Sequence, residues 1–198
     1  MSVPACLGPG AVASRASAWV QRWSHLVPSQ GVVLDVACGE GRHLAWFAAR
    51  GHRVFGVDRS ASALAGLGLP AEQCTTVLAD IEQGPWPLPG QQFGAVVVTN
   101  YLWRPLLPTL VASVAPGGVL IYETFARGQA SIGKPSRAEF LLAPGELLEA
   151  VRDLRVVAYE DGFEEARDDW PARYVQRVAA VRGISVDPAD TAPRHHLA

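Results

Sequence analysis

Val32-Val33-Leu34-Asp35-Val36-Ala37-Cys38-Gly39-Glu40-Gly41 is the stretch on which the reading of this chain turns. A short β-branched apolar run passes into a cluster of small residues and then into 42–50, whose apolar residues recur at helical spacing. The segment reads as strand, tight turn, helix. Gly39 and Gly41 permit positive φ and close approach of a ligand, and the first free N–H groups of the helix favour negative charge, so the turn is expected to form a backbone anion site. A bare strand-to-helix turn, with glycines serving geometry alone, is the competing reading of these residues. The next strand, 53–57, ends at Asp58, about 20 residues past the turn, where α/β nucleotide binders set a carboxylate against ribose hydroxyls.

The same pattern continues along the chain. A third strand over 75–79 ends at Asp80, and 82–92 is rich in Gly and Pro and reads as a loop. Phe93-Gly94-Ala95-Val96-Val97-Val98 is apolar throughout, as a strand covered on both faces requires. Pro105 suits the first turn of a helix reaching Ala115, and 119–123 is a fifth strand. A helix over 144–151, a strand near 155–159 and a last strand near 174–181 follow. Ser60 caps a short helix over 61–67, and Ser14 is the candidate cap of an N-terminal helix in which Trp19, Val20 and Trp23 share a face. Strand–helix alternation implies an α/β fold with a doubly wound, mostly parallel sheet. Ligands in such sheets bind outside the carboxyl ends of the strands, where strand order reverses, and Asp35, Asp58, Asp80, Asn100 and Thr124 all fall at that edge. The expected organisation is one domain over 14–182, with a flexible N-terminus over 1–13 and a tail over 183–198.

The turn, Asp58, Asp80-Ile81 and the Pro116-Gly117-Gly118 turn together resemble class I S-adenosylmethionine-dependent methyltransferases. Tyr122-Glu123-Thr124-Phe125 and the 140–147 segment are similar to the small bacterial tellurite-resistance type within that superfamily. The resemblance spans roughly 19–181 and departs at Ala37, where the family often has glycine. It implies a Rossmann-like sheet of about seven strands, the last antiparallel, and S-adenosyl-L-methionine as cofactor with S-adenosyl-L-homocysteine as product. Ala37, Cys38, Gly39 and Gly41 would hold the methionine portion, Asp35 its ammonium, and Asp58 the ribose hydroxyls. Asp80 would receive the adenine amino group and Ile81 would meet the ring. Asn100 and Tyr101 would face the transferable methyl group as catalytic residues, Asn100 touching the cofactor as well. Tyr101, Arg104, Glu123, Phe125, Arg127 and Lys134 would lie on the acceptor side.

Composition narrows the partners. A net charge of −2 with no basic cluster argues against nucleic acid. No apolar run approaches the length of a membrane helix, and the N-terminus lacks a secretory pattern, so a cytoplasmic protein acting on a small molecule is expected. Three cysteines without paired or ligand spacing argue against a disulfide framework or a metal site, and Cys38 reads as a small cavity-lining residue. The 125–142 connection is long for a simple linker, so it is expected to be a lid over the acceptor, its cations Arg127, Lys134 and Arg137 favouring an anionic or oxygen-rich group. Two rival functions stand beside methyl transfer. A non-catalytic cofactor-binding subunit would share every feature of the turn. A nicotinamide-dependent oxidoreductase would need a third glycine where Leu44 stands.

Overall fold

The computed structural model describes residues 15–167, 170–183 and 195–197. The quoted run forms β1 (Val33–Val36), buried at every position. It lies parallel to β2 (Val54–Asp58) on one side and β4 (Phe93–Thr99) on the other. Beyond β2 the edge is β3 (Cys74–Leu78), and beyond β4 come β5 (Val114–Phe125), β7 (Arg173–Val181) and finally β6 (Arg155–Glu164). The resulting seven-stranded order is β3-β2-β1-β4-β5-β7-β6. The first five strands are parallel, and β7 runs antiparallel to both of its neighbours. Strand order reverses between β1 and β4, which puts the crevice of the sheet at their carboxyl ends.

Each face of the sheet has its own core. On one face α1 (Ala18–Trp23), α2 (Arg42–Ala48) and α3 (Ala61–Ala65) bring Trp19, Trp23, Leu44 and Phe47 against Val33, Val97 and Ile121. Burial of each large side chain stabilises the sandwich by roughly 1.5–3 kcal/mol. On the other face α4 (Leu107–Ala112) and α5 (Glu146–Ala150) bring Leu110, Leu147 and Val151 against Leu34, Val96, Leu120 and Tyr122. The 82–92 segment is a loop, as its Gly and Pro content predicts, and Leu88 plugs it into this second core.

Several element boundaries differ from the sequence reading. Ser14 lies outside the described residues, and α1 is capped by Ser17, whose Oγ accepts from the Trp19 N–H at 3.1 Å. The helix expected to reach Ala115 stops at Ala112, because Phe93 pairs with Val114 and draws it into β5. Strand β6 runs five residues further than the expected 159, to Glu164, because β7 pairs with it along its whole length. The expected flexible N-terminus, 1–13, and most of the 183–198 tail lie outside the described residues, while the His196 carbonyl lies 3.0 Å from His25 Nε2. Among the described residues, no helix is long and apolar enough to cross a membrane.

One close approach fixes how β4 starts. A Cβ on Gly94 would sit 2.5 Å from the Gly31 Cα, and backbone there cannot swing aside as a side-chain tip would. Gly94→Ala is therefore expected to destabilise the fold by about 1–3 kcal/mol, measured as a lower urea midpoint with an unchanged slope.

Candidate functional site

The turn after β1 holds its shape through bonds made inside the protein. Ala37, Gly39 and Gly41 all have positive φ, at 54°, 53° and 70°. A Cβ on Gly41 would meet Leu67 Cδ2 at 2.1 Å, so this position is closed to side chains as the loop stands. The Cys38 N–H donates to Val57 O, the Gly39 N–H to Asp58 Oδ2 at 2.7 Å, and the Gly41 N–H to Cys38 O. These three donors of the turn are committed to the chain itself. Cys38 also points away from the crevice: its Sγ lies 2.9 Å from where a Gly56 Cβ would be. Burial first, and the nearby Asp35 and Asp58 carboxylates second, push its thiol far above the usual range, so it is no thiolate.

A pocket of about 370 Å³ opens at the carboxyl ends of β1 to β5. Ala37, Asp58, Asp80, Ile81 and Asn100 line it, together with Tyr101, Thr124 and Phe125. Asn100, like Ala37, is a non-glycine residue at φ 54°, so two adjacent strands each end in left-handed backbone facing one space. Such residues cost about 1–2 kcal/mol apiece and collect where a ligand is held. Asp58 spends its Oδ1 on the Ser60 N–H at 2.8 Å, and Asp80 Oδ1 accepts from the N–H groups of Glu82 and Gln83. Each carboxylate keeps lone pairs for a second donor.

Tyr101 follows Asn100 into the pocket. Its hydroxyl is buried without a hydrogen-bond partner. Burial first, then the adjacent Glu82 carboxylate, raise its pKa and keep the phenol neutral. The carboxylates that act on it, Glu82 and Asp80, follow β3, and Arg59, which opposes them, follows β2, so the hydroxyl lies on the β2–β3 side of the pocket. Sequence reasoning missed Glu82 and Arg59, which complete this wall, and also Pro135 from the long loop. Glu82 alone carried a signal, being two residues past Asp80.

The other expected residues with charged side chains do not line this pocket. Asp35, 1% exposed, lies beneath the turn with its Oδ2 lacking a hydrogen-bond partner, 3.6 Å from His43 Nδ1. Glu123, equally buried, accepts from Ser17 Oγ at 2.8 Å and pairs with Arg173 and Arg177 at 3.3 and 3.2 Å. Glu164 closes the cluster by binding both arginines, which outweigh its burial and hold its carboxyl below the ordinary value. Arg104 forks onto Glu146 and donates to the carbonyls of Glu139 and Leu141, pinning the base of the long loop. Lys134 is exposed on an outer depression, and Arg137 is paired with Glu139 and stacked on Phe140. Arg127 is likewise exposed, so the loop turns apolar side chains rather than cations to the pocket.

Residues 33–118 match the family model described as a methyltransferase domain. No curated protein matches the chain significantly. Among solved structures, TehB from Haemophilus influenzae superposes with a TM-score of 0.65 at 20% identity, over 83% of this chain and 61% of its own. The chain thus spans about three-fifths of that protein. An S-adenosylmethionine-dependent methyltransferase from Mesorhizobium loti gives 0.65 at 18% identity, over 83% and 98%. The glycopeptide N-methyltransferase MtfA complexed with S-adenosyl-L-homocysteine gives 0.56 at 21%, over 83% and 88%. These likenesses establish the fold. The chain thus carries a stretch similar to a methyltransferase domain and a fold like that of TehB and of an S-adenosylmethionine-dependent methyltransferase.

The buried cluster predicts how Glu123 behaves on substitution. Glu123→Gln leaves two buried guanidinium groups short of a counter-charge and is expected to cost about 3–5 kcal/mol of stability. Chemical denaturation checks this; full stability with lost activity would make Glu123 an acceptor residue instead.

Proposed function

We propose that the protein transfers a methyl group from S-adenosylmethionine to a small-molecule acceptor, with the nucleoside end of the cofactor in the pocket between Asp58, Asp80, Ile81 and Tyr101. The observation that carries this reading is the convergence of Ala37, Asp58, Asp80, Ile81 and Asn100 on one pocket at the switch point of the sheet. Electrostatics supports it independently. The lining has three carboxylates, Asp58, Asp80 and Glu82, against one guanidinium, Arg59. Such a site repels the pyrophosphate of a nicotinamide dinucleotide and attracts a cofactor with a sulfonium and no phosphate. The unpartnered Tyr101 hydroxyl supplies a neutral polar group in the same wall, available to a nucleoside nitrogen or hydroxyl.

When bound, S-adenosylmethionine supplies a methyl group already activated by the sulfonium. The chain's own work is then to bind, align and keep water out. Asp58 accepts ribose hydroxyls while still holding Gly39, which couples ligand binding to the shape of the turn. Because the Tyr101 hydroxyl is buried against Glu82, we assign its ring to the nucleoside wall. Asn100, in the strained position after β4, is left as the methyl-facing residue. Phe125, Pro135 and Phe140 form an apolar cover, which excludes water and favours an acceptor with an apolar body. Fixing the acceptor behind the methyl group can account for about 7–11 kcal/mol of barrier lowering by alignment alone. We further assign 14–182 to one catalytic domain.

Asp58→Ala is expected to weaken S-adenosylhomocysteine binding by about 1.5–3 kcal/mol, as loss of charge-assisted hydrogen bonds does. Isothermal titration on the folded variant reads this, and an unchanged affinity removes Asp58 from the site. Turnover across a panel of acceptors then tests Asn100→Ala, which is expected to lower kcat far more than cofactor affinity.

A further inference from the structure

We propose that the acceptor is an uncharged small molecule whose nucleophile is a lone pair carrying no proton, a thioether sulfur or a ring nitrogen, and that Thr124 positions it through a hydrogen bond to a neighbouring polar group. The inference rests on the cofactor reading above and deepens it to the chemical class of the acceptor.

Thr124 stands where β4 and β5 end side by side. Thr99 pairs with Glu123, and the Asn100 N–H donates to the Glu123 carbonyl at 2.9 Å, so Thr124 is the next residue beyond that contact. Alternation along β5 turns Glu123 toward Ser17 and Arg173 and Thr124 toward the pocket, on the same side as Tyr122. The Tyr122 hydroxyl donates to the Tyr101 carbonyl at 2.8 Å, which steadies the backbone leading away from Asn100. Among the described residues, neither the Thr124 hydroxyl nor the Asn100 side-chain amide has a hydrogen-bond partner. A hydroxyl left open in a pocket wall is ready for the amide, carbonyl or hydroxyl of a ligand.

The surroundings of this pair carry no charge. Asn100, Leu102, Thr124, Phe125, Pro135 and Phe140 make up one side of the lining, whereas Asp58, Arg59, Asp80 and Glu82 follow β2 and β3 on the other. Phe140 is held firmly: Arg104 binds the carbonyls on either side of it, Glu139 and Leu141, and the Arg137 guanidinium lies 4.7 Å from its ring centroid. An anionic acceptor here would shed its hydration with no cation to replace it, and would face three carboxylates against one guanidinium.

The same lining sets the nucleophile. None of these six side chains takes up a proton near neutral pH, while burial first and then Glu82 keep the Tyr101 phenol protonated. A lone pair that carries no proton needs no base: it forms the bond to the methyl carbon while the carbon–sulfur electron pair stays on the cofactor's sulfur. No proton moves, and the positive charge passes to the methylated acceptor. Asp58, Asp80 and Glu82 favour that cationic product.

Two matched pairs of probes, with S-adenosylmethionine as donor, test the acceptor class: para-(methylthio)benzamide against para-(methylthio)benzoate, and isonicotinamide against isonicotinate. Each pair keeps the proton-free lone pair and exchanges an amide for a carboxylate. Mass spectrometry is expected to show methyl transfer to at least one amide, with kcat/KM above that of its carboxylate by about fivefold or more. A smaller margin, a reversal, or no transfer to either amide overturns the class. Thr124→Val removes the hydroxyl at nearly constant shape and is expected to lower kcat/KM for the amide by about fivefold or more, with Thr124→Ser restoring most of the loss. Isothermal titration is expected to show S-adenosylhomocysteine affinity within about twofold of the parent in both variants. A smaller loss in Thr124→Val, a loss that Thr124→Ser does not recover, or an equal loss of cofactor affinity removes Thr124 as the positioning residue. Should Thr124→Val fail to fold, Thr124→Ala takes its place against Thr124→Ser. A parent protein that binds no S-adenosylhomocysteine sinks the cofactor reading itself, a failure distinct from these.

Discussion

The bond from the Gly39 N–H to Asp58 Oδ2, 2.7 Å long, is the constraint on which the crevice depends. It ties the turn after β1 to the end of β2 across 19 residues of chain. The turn must bend back to make it, which puts Ala37 and Gly39 in left-handed backbone and leaves Gly41 pressed under Leu67. A glycine at 37 would adopt this shape without penalty. Alanine accepts it because parallel pairing of Val36 with Val57 and Val98 holds the preceding residue, and the Cys38 N–H to Val57 O bond holds the following one. The same carboxylate that shapes the turn faces the pocket. A ligand on Asp58 therefore acts on a group that already sets the geometry of the neighbouring strand end.

The parts of the fold legible in the sequence were those whose signal is local. A buried parallel strand is apolar at every position, and β1 and β4 read that way. The residue that ends such a strand lies at the crevice by topology alone, so Asp58, Asp80 and Asn100 could be placed before any coordinates. Edge strands carry a weaker signal. Strand β6 is mostly exposed and rich in charge, and it exists at full length because Arg173 and Arg177 of β7 reach across to Glu164 and Glu160. Glu123 and Arg173 are 50 residues apart, and no spacing rule connects them. The bonds that hold the turn after β1, from the Cys38 N–H to Val57 O and from the Gly39 N–H to Asp58 Oδ2, likewise join residues that no local spacing connects.

The buried charges beneath the site are an expensive way to gain stability. An ion pair removed from water loses solvation comparable to the attraction it gains, and an apolar replacement of equal volume is often neutral or better. What the cluster supplies is position. Glu123 joins Ser17 at the start of α1 to Arg173 and Arg177 on β7, so the N-terminal helix, the middle of the sheet and the antiparallel pair meet at one carboxylate. The Asn100 N–H donates to the Glu123 carbonyl, which attaches the residue at the crevice to the same strand.

The long loop is held more firmly than its sequence suggests. Its two ends are stitched by Leu142 N–H to Phe125 O and Arg127 N–H to Leu142 O, and Arg104 binds the carbonyls of Glu139 and Leu141. Gln129, nearly buried, accepts from the Tyr174 N–H and donates to the Lys134 carbonyl, spanning the loop from inside. Gly128 lies against the Tyr174 ring, where a Cβ would come within 2.7 Å. A segment fixed at both ends and braced across its middle does not swing as a whole. What these bonds leave unbraced is the tip between the Gln129 brace and the Arg104 anchor, which carries Pro135. Lys134 and Arg137 point outward on that tip, and the loop side chains that line the pocket are those of Phe125, Pro135 and Phe140.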